Sequence, residues 1–182
     1  MQQPNFREQL PQLVGHHLFS IGPHIWPLDH LIATLKYHQK SILVPELAAL
    51  FAHHFRRSQQ ALPEAILAVP MHPIKLWLRG FNQSALLAQH IGRELGVPVL
   101  SNLARKRWSF TPQVRKTATQ RRRLDVSHFD IKRDNCSLSR IAIFDDVITT
   151  GSTVASLAKA LKLQYPELEI QFWSCSVSLK QK

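Results

Sequence analysis

Asp145 and Asp146 stand side by side at the end of an apolar run, Ile141-Ala142-Ile143-Phe144. After Val147-Ile148 comes a small, hydroxyl-rich stretch, Thr149-Thr150-Gly151-Ser152-Thr153. A helix starting near Thr153 would present unpaired backbone N–H groups and the positive end of its dipole to this loop. Gly151 lets the backbone approach a ligand closely, and the hydroxyls of Thr149, Thr150, Ser152 and Thr153 add donors. Together they form a cradle for a phosphate monoester. The carboxylates lie too near that phosphate to contact it directly. They suit hydrogen bonds from sugar hydroxyls, or a place near Mg²⁺. A ribose 5-phosphate meets both requirements. The loop has no lysine, which excludes a Walker A site, and no G-x-G-x-x-G fingerprint is present. The plain alternative is a capped helix after a strand, with incidental aspartates.

Such a cradle needs a strand to aim the acids and a helix to follow. Ala65-Ile66-Leu67-Ala68-Val69 and Arg140 to Phe144 are short continuous apolar runs, as in strands buried on both faces. Val97 to Leu100 and Glu169 to Val177 read as further strands. Leu28, Leu31, Ile32 and Leu35 make a helical stripe behind Pro27. Leu47, Leu50, Phe51 and Phe55 make a second, opened by Pro45-Glu46. Leu87, Ile91 and Leu95 mark a helix over 83–95, with Gly96 as its C-terminal stop. The last helix runs from Thr153 to Leu163. Alternation of strand and helix predicts an α/β domain with a mostly parallel sheet flanked by helices, over residues 27–182. Residues 1–26 form an N-terminal segment with no assignment. In the parallel sheet, ligands bind beyond the carboxyl ends of the strands, where the acids fall.

The bulk properties set limits. The chain has 182 residues, 45% of them hydrophobic, enough for one domain with a core. Lys plus Arg number 23 against 12 Asp plus Glu, a net charge of +11 that favours anionic partners. Cys136 and Cys175 lie far apart, which argues against a disulfide framework and a cysteine zinc site. The ten histidines include His16-His17 and His53-His54, but adjacent residues on a helix diverge, so no structural metal is expected. No apolar run reaches the length of a bilayer span and no signal peptide opens the chain, so a cytoplasmic protein without membrane insertion is expected.

The run from Ile141 to Thr153 resembles, over its full length, the phosphoribosyl pyrophosphate (PRPP) motif of type I phosphoribosyltransferases. Val69-Pro70-Met71-His72-Pro73 followed by Arg79-Gly80-Phe81-Asn82-Gln83-Ser84 resembles the V-P-x-x…R-G-F-N-Q segment of the ComF/GntX family. These are phosphoribosyltransferase-like proteins associated with natural competence and DNA uptake. Leu35-Lys36-Tyr37 is similar to that family's L-K-Y segment, and Gln113 after Thr111-Pro112 to its T-x-x-Q region. The resemblance spans Pro27 to Val177. The family's cysteine-rich zinc ribbon is absent, so no zinc is expected. Its R-x-x-N before a phenylalanine is replaced by Arg121-Arg122-Arg123-Leu124, without the asparagine.

The resemblance implies a type I phosphoribosyltransferase-like fold with a small N-terminal helical or hood portion. It implies PRPP or a nucleotide as ligand, with Mg²⁺. Asp145 and Asp146 would be the catalytic acids, near the metal directly or through water. Thr149, Thr150, Gly151, Ser152 and Thr153 would take the 5′-phosphate. Pro70, Met71 and His72 would form the pyrophosphate loop, although a proline-rich turn explains them equally well. Arg79, Asn82 and Gln83 would face the pyrophosphate or the acceptor; on local chemistry alone Asn82 is an N-cap and Arg79 a solvated cation.

Between Arg105 and Arg123 lie eight cations, among them Lys106, Arg107, Arg121 and Arg122, with no acid. Trp108 and Phe110 are interleaved. This suits a flap that neutralises pyrophosphate, or single-stranded DNA whose bases stack on the rings, or a solvated loop. Two functions follow: a phosphoribosyltransferase of unknown acceptor, or a non-catalytic module of the DNA uptake machinery that binds nucleic acid or competence proteins.

Overall fold

The computed structural model describes residues 10, 13, 15–37, 42–106, 128–132 and 138–178. The strands among the described residues are β1 (His17–Pro23), β2 (Ala65–Ala68), β3 (Ala104–Lys106), β4 (Phe129–Ile131), β5 (Arg140–Ile148) and β6 (Glu169–Val177). The helices among the described residues are α1 (Leu28–Tyr37), α2 (Leu43–Arg57), α3 (Pro73–Arg79), α4 (Gln83–Leu95) and α5 (Ser152–Gln164). Four strands pair in the order β1-β6-β5-β2, all parallel. β3 and β4 form a separate antiparallel pair. The mostly parallel sheet with flanking helices is compatible with the type I phosphoribosyltransferase-like fold.

β5 and β6 occupy the centre because both faces of each can be buried. In β5, Ile141 and Ile143 pack on one face with Val154, Leu157 and Leu161 of α5. Ala142 and Phe144 pack on the other, with helices α1, α2 and α4. That second face is built on aromatics. Phe51 of α2 meets Phe19, Phe144 and Trp173 with ring centroids 5.0, 5.8 and 5.4 Å apart. Edge and tilted contacts of this kind add to the area they bury.

Three elements differ from the expectation. β1 lies inside the unassigned segment, and its pairing with β6 sets its register, from His17↔Gln171 to Pro23↔Val177. The strand expected over 97–100 shrinks to a single bridge, Ile66↔Val99. Ile66 donates to the carbonyl of Pro98 and accepts from Leu100, but Pro98 has no N–H to extend the ladder. α3 carries Ile74, Trp77 and Leu78 at helical spacing, but they face solvent, so packing does not define it. His72 caps it, Pro73 opens it, and Gly80 closes it at φ 80°.

Gly92, in the middle of α4, is required by a close approach. A Cβ there would sit 2.5 Å from the carbonyl oxygen of Val97, where the chain turns back after Gly96. Gly92→Ala is expected to destabilise the protein by roughly 1–3 kcal/mol, despite alanine's better helix propensity. Urea unfolding of the two proteins measures this.

Candidate functional site

β5 extends four residues beyond Phe144, so Asp145 and Asp146 lie within the strand near its carboxyl end, not past it. The neighbour explains this. β6 runs on to Val177, and pairs Asp145↔Ser174 and Val147↔Ser176 continue the ladder. Pairing overrides the low strand propensity of aspartate.

α4 begins against these carboxylates. Asn82 is its N-cap: Oδ1 accepts from the backbone N–H of Ser84 and Ala85, while Nδ2 donates to the Val69 carbonyl at 3.0 Å. Asn82 thus ties the helix start to the end of β2. The next two side chains reach the acids. Gln83 Nε2 donates to Asp146 Oδ2 at 2.6 Å. Ser84 Oγ lies 2.9 Å from Asp145 Oδ1 and 3.3 Å from Asp146 Oδ1, and it also accepts from the Asp146 N–H. Arg79 Nη1 donates to Gln83 Oε1 at 2.6 Å. With that oxygen committed, the amide nitrogen of Gln83 is left for Asp146, and the guanidinium charge is relayed toward the buried carboxylate.

Asp146 is 9% exposed, and Gln83 and Ser84 are buried with it. Asp145 is the more open member. Its carboxyl is pushed up to about 7, first by burial and then by the neighbouring charge of Asp146; the Ser84 hydroxyl acts in the opposite direction. Ser174, the strand partner of Asp145, is fully buried, and its Oγ has no hydrogen-bond partner. A bound water or a ligand hydroxyl would satisfy it.

The hydroxyl-rich loop follows directly. Gly151 adopts φ 75°, and a Cβ there would lie 3.0 Å from Leu13 Cγ. Glycine therefore fits both the left-handed turn and the contact with the N-terminal segment. The N-cap Gly151 has no side chain to cap α5, and Thr150 Oγ1 accepts a long hydrogen bond from the Ser152 N–H at 3.4 Å. Thr150 Oγ1 and Ser152 Oγ are 2.9 Å apart, and Thr149, Thr150 and Ser152 are exposed, with Thr153 partly so. The helix start that would receive an anion therefore presents hydroxyls to solvent.

The predicted residues divide into three groups. Asp145, Asp146, Arg79, Asn82 and Gln83 form one connected hydrogen-bond network, and residues 149–153 follow two positions along the chain. Pro70, Met71 and His72 form the loop between β2 and α3, with His72 serving as the N-cap through Nδ1. Arg105 lies on β3; Arg107, Arg121, Arg122 and Arg123 lie outside the described residues, as do Trp108, Phe110 and Gln113. Ser84 was missed as a site residue, although it ends the R-G-F-N-Q-S segment. A serine two residues after an asparagine N-cap was its only signal. Cys175 is buried, and burial followed by the charge of Asp146 holds its thiol well above the ordinary range, so it is not a reactive thiolate.

Among the described residues no group of three His, Cys, Asp or Glu is placed to hold a metal, and no helix is long and apolar enough to cross a membrane. A Mg²⁺ held by one or two carboxylates and by the phosphates of its ligand needs no such group. The Asp145 carboxylate and the adjoining hydroxyl loop fit that mode.

No family model matches the chain. It is 36% identical over 160 residues to Competence protein F of Haemophilus influenzae, covering 84% of this chain and 69% of that protein. It is 32% identical to the DNA utilization protein YhgH of Salmonella typhi and to that of Escherichia coli K12, covering 86% of this chain and 70% of each.

The raised Asp145 carboxyl has a measurable consequence. The folded protein holds that proton more tightly than the unfolded chain, whose value is near 3.8. The associated stability is fully present below 3.8 and is lost as pH rises through about 7. The stability of the wild type relative to Asp145→Asn is therefore expected to fall over that window and to level off above it. Urea unfolding of both proteins at about pH 3.5, 5.5 and 8, one point below, within and above the window, reads this difference.

Proposed function

Because the chain belongs to the ComF/GntX family, we propose that it binds PRPP, or a nucleotide carrying ribose 5-phosphate, at the carboxyl edge of its sheet. We place that activity in competence or DNA utilisation, the roles named for its relatives. The observation that carries the reading is the acid pair fixed by α4, followed two residues later by a hydroxyl-lined helix start with a glycine N-cap.

The division of labour follows from chemistry. The amides of Gly151, Ser152 and Thr153, with the hydroxyls of Thr149 and Thr150, receive the 5′-phosphate. Asp145, the more open carboxylate, accepts hydrogen bonds from the ribose hydroxyls. Asp146, held by Gln83 and Ser84, keeps the end of the strand in place. The 70–72 loop takes the pyrophosphate, and the cations of the 105–123 stretch would offset its charge. A Mg²⁺ arriving with the ligand would neutralise charge on the leaving group. In transfer to an acceptor, the anomeric carbon gains cationic character as pyrophosphate departs. The adjacent carboxylates hold the ring and favour that charge.

A second reading rests on the basic stretch from Arg105 to Arg123 with Trp108 and Phe110. In it the chain binds single-stranded DNA and performs no transfer. Turnover of PRPP with a nucleobase separates the two. Salt-dependent single-strand binding, lost when Arg121, Arg122 and Arg123 are neutralised, would favour the second.

Calorimetry with Mg²⁺ and PRPP is the direct test. Wild type is expected to bind in the micromolar range, and Asp145→Asn about tenfold or more weakly, because one charge-assisted hydrogen bond is worth roughly 1.5–3 kcal/mol. A folded wild type that does not bind PRPP, nucleotide or ribose 5-phosphate refutes the proposal.

A further inference from the structure

α3 is a helix with no buried residue. Trp77 is 82% and Leu78 71% exposed, and Ile74 and Leu76 more than 40%. So much contiguous apolar surface on a short helix marks an interaction site. Beside it opens a cavity of about 370 Å³, between α3, α4 and β3. Its apolar wall includes Leu67, Met71, Leu76, Val99, Leu100 and Ala104. Leu76 belongs to both, so the exposed helix and the cavity form one continuous surface.

Among the described residues the charges around this surface are mainly cationic. The cavity lining contains Arg105 and Lys106 and no carboxylate. α3 carries Lys75 and Arg79 and no acid. Asp130 of β4, opposite Arg105, is the neighbouring carboxylate. An apolar centre with a cationic rim selects its partner. A second copy of a chain with net charge +11 would bring like charges together. Nucleic acid would use the cations and Trp77, but would leave an aliphatic cavity unfilled.

We infer that α3 and the adjoining cavity dock an acidic amphipathic segment of a partner protein. One large apolar side chain enters the cavity against Leu76 and Met71, Trp77 covers it, and carboxylates meet Lys75, Arg105 and Lys106. Anchors of this kind, ringed by polar contacts, carry most of the energy of a protein interface. The cavity also reaches Pro70, Asn82 and Arg105, so this surface borders the proposed ligand site, and docking is read in the absence of that ligand.

Panning a random dodecapeptide library displayed on phage against the full chain tests the inference. The expected peptides carry several Asp or Glu around one Leu, Phe or Trp. Their synthetic copies bind wild type, and bind Trp77→Ser and Lys75→Glu/Lys106→Glu about tenfold or more weakly, as loss of a central contact implies. These side chains lie outside the buried core, and circular dichroism confirms that the variants fold. The inference is overturned by peptides without acids, by unchanged binding to the variants, or by no enrichment over an unrelated basic protein. It is also overturned if sedimentation shows a wild-type dimer that Trp77→Ser dissolves, or if oligo-dT displaces the peptides and its own binding is lost in Trp77→Ser.

Discussion

Two adjacent carboxylates at the end of a buried strand set the terms for much of this molecule. Removing either from water is costly, and placing them together makes it more so. The chain answers with the start of one helix. Gln83 and Ser84 donate to the pair, Asn82 anchors the helix start to the end of β2, and Arg79 fixes the orientation of the Gln83 amide. The Arg79 to Ser84 segment is thus a single structural device. It also joins strands that are neighbours in space but far apart in sequence.

The compensation is incomplete on one side. Asp146 is enclosed, whereas Asp145 is more open and has a raised affinity for its proton. The buried hydroxyl of Ser174 beside it is also unpaired. Such residual polarity at the carboxyl edge of a parallel sheet has a natural use in meeting a hydroxylated ligand. In the proposed function the hydroxyl loop and the start of α5 would receive the anionic part of that ligand. Stability and binding therefore draw on the same groups, and a ligand that uses them would stabilise the fold.

How much of this was legible in the sequence varies with the forces involved. Helices with one buried face were readable: Leu28 to Leu35 and Leu87 to Leu95 show the stripe that packing demands. The central strands were readable as apolar runs. β1 was not, because His17–Pro23 lacks alternation and is held by its pairing with β6. α3 was not, because nothing on it packs inward and only its caps define it. The acids, the cradle and the Arg79–Gln83 segment were each visible as motifs. Their connection was not, since a hydrogen bond from Ser84 to Asp145 spans 61 residues of chain. Resemblance supplied the grouping that local chemistry alone left open.

The central claim is that the acid pair and the loop from Thr149 to Thr153 form one site for a phosphorylated ribose. Amide NMR during titration with ribose 5-phosphate tests it most directly. The account predicts saturable shifts concentrated at Asp145, Asp146 and Gly151 to Thr153, and their loss in Asp145→Asn for the acid pair. Shifts confined to other surfaces, or none at all from a folded protein, would contradict it.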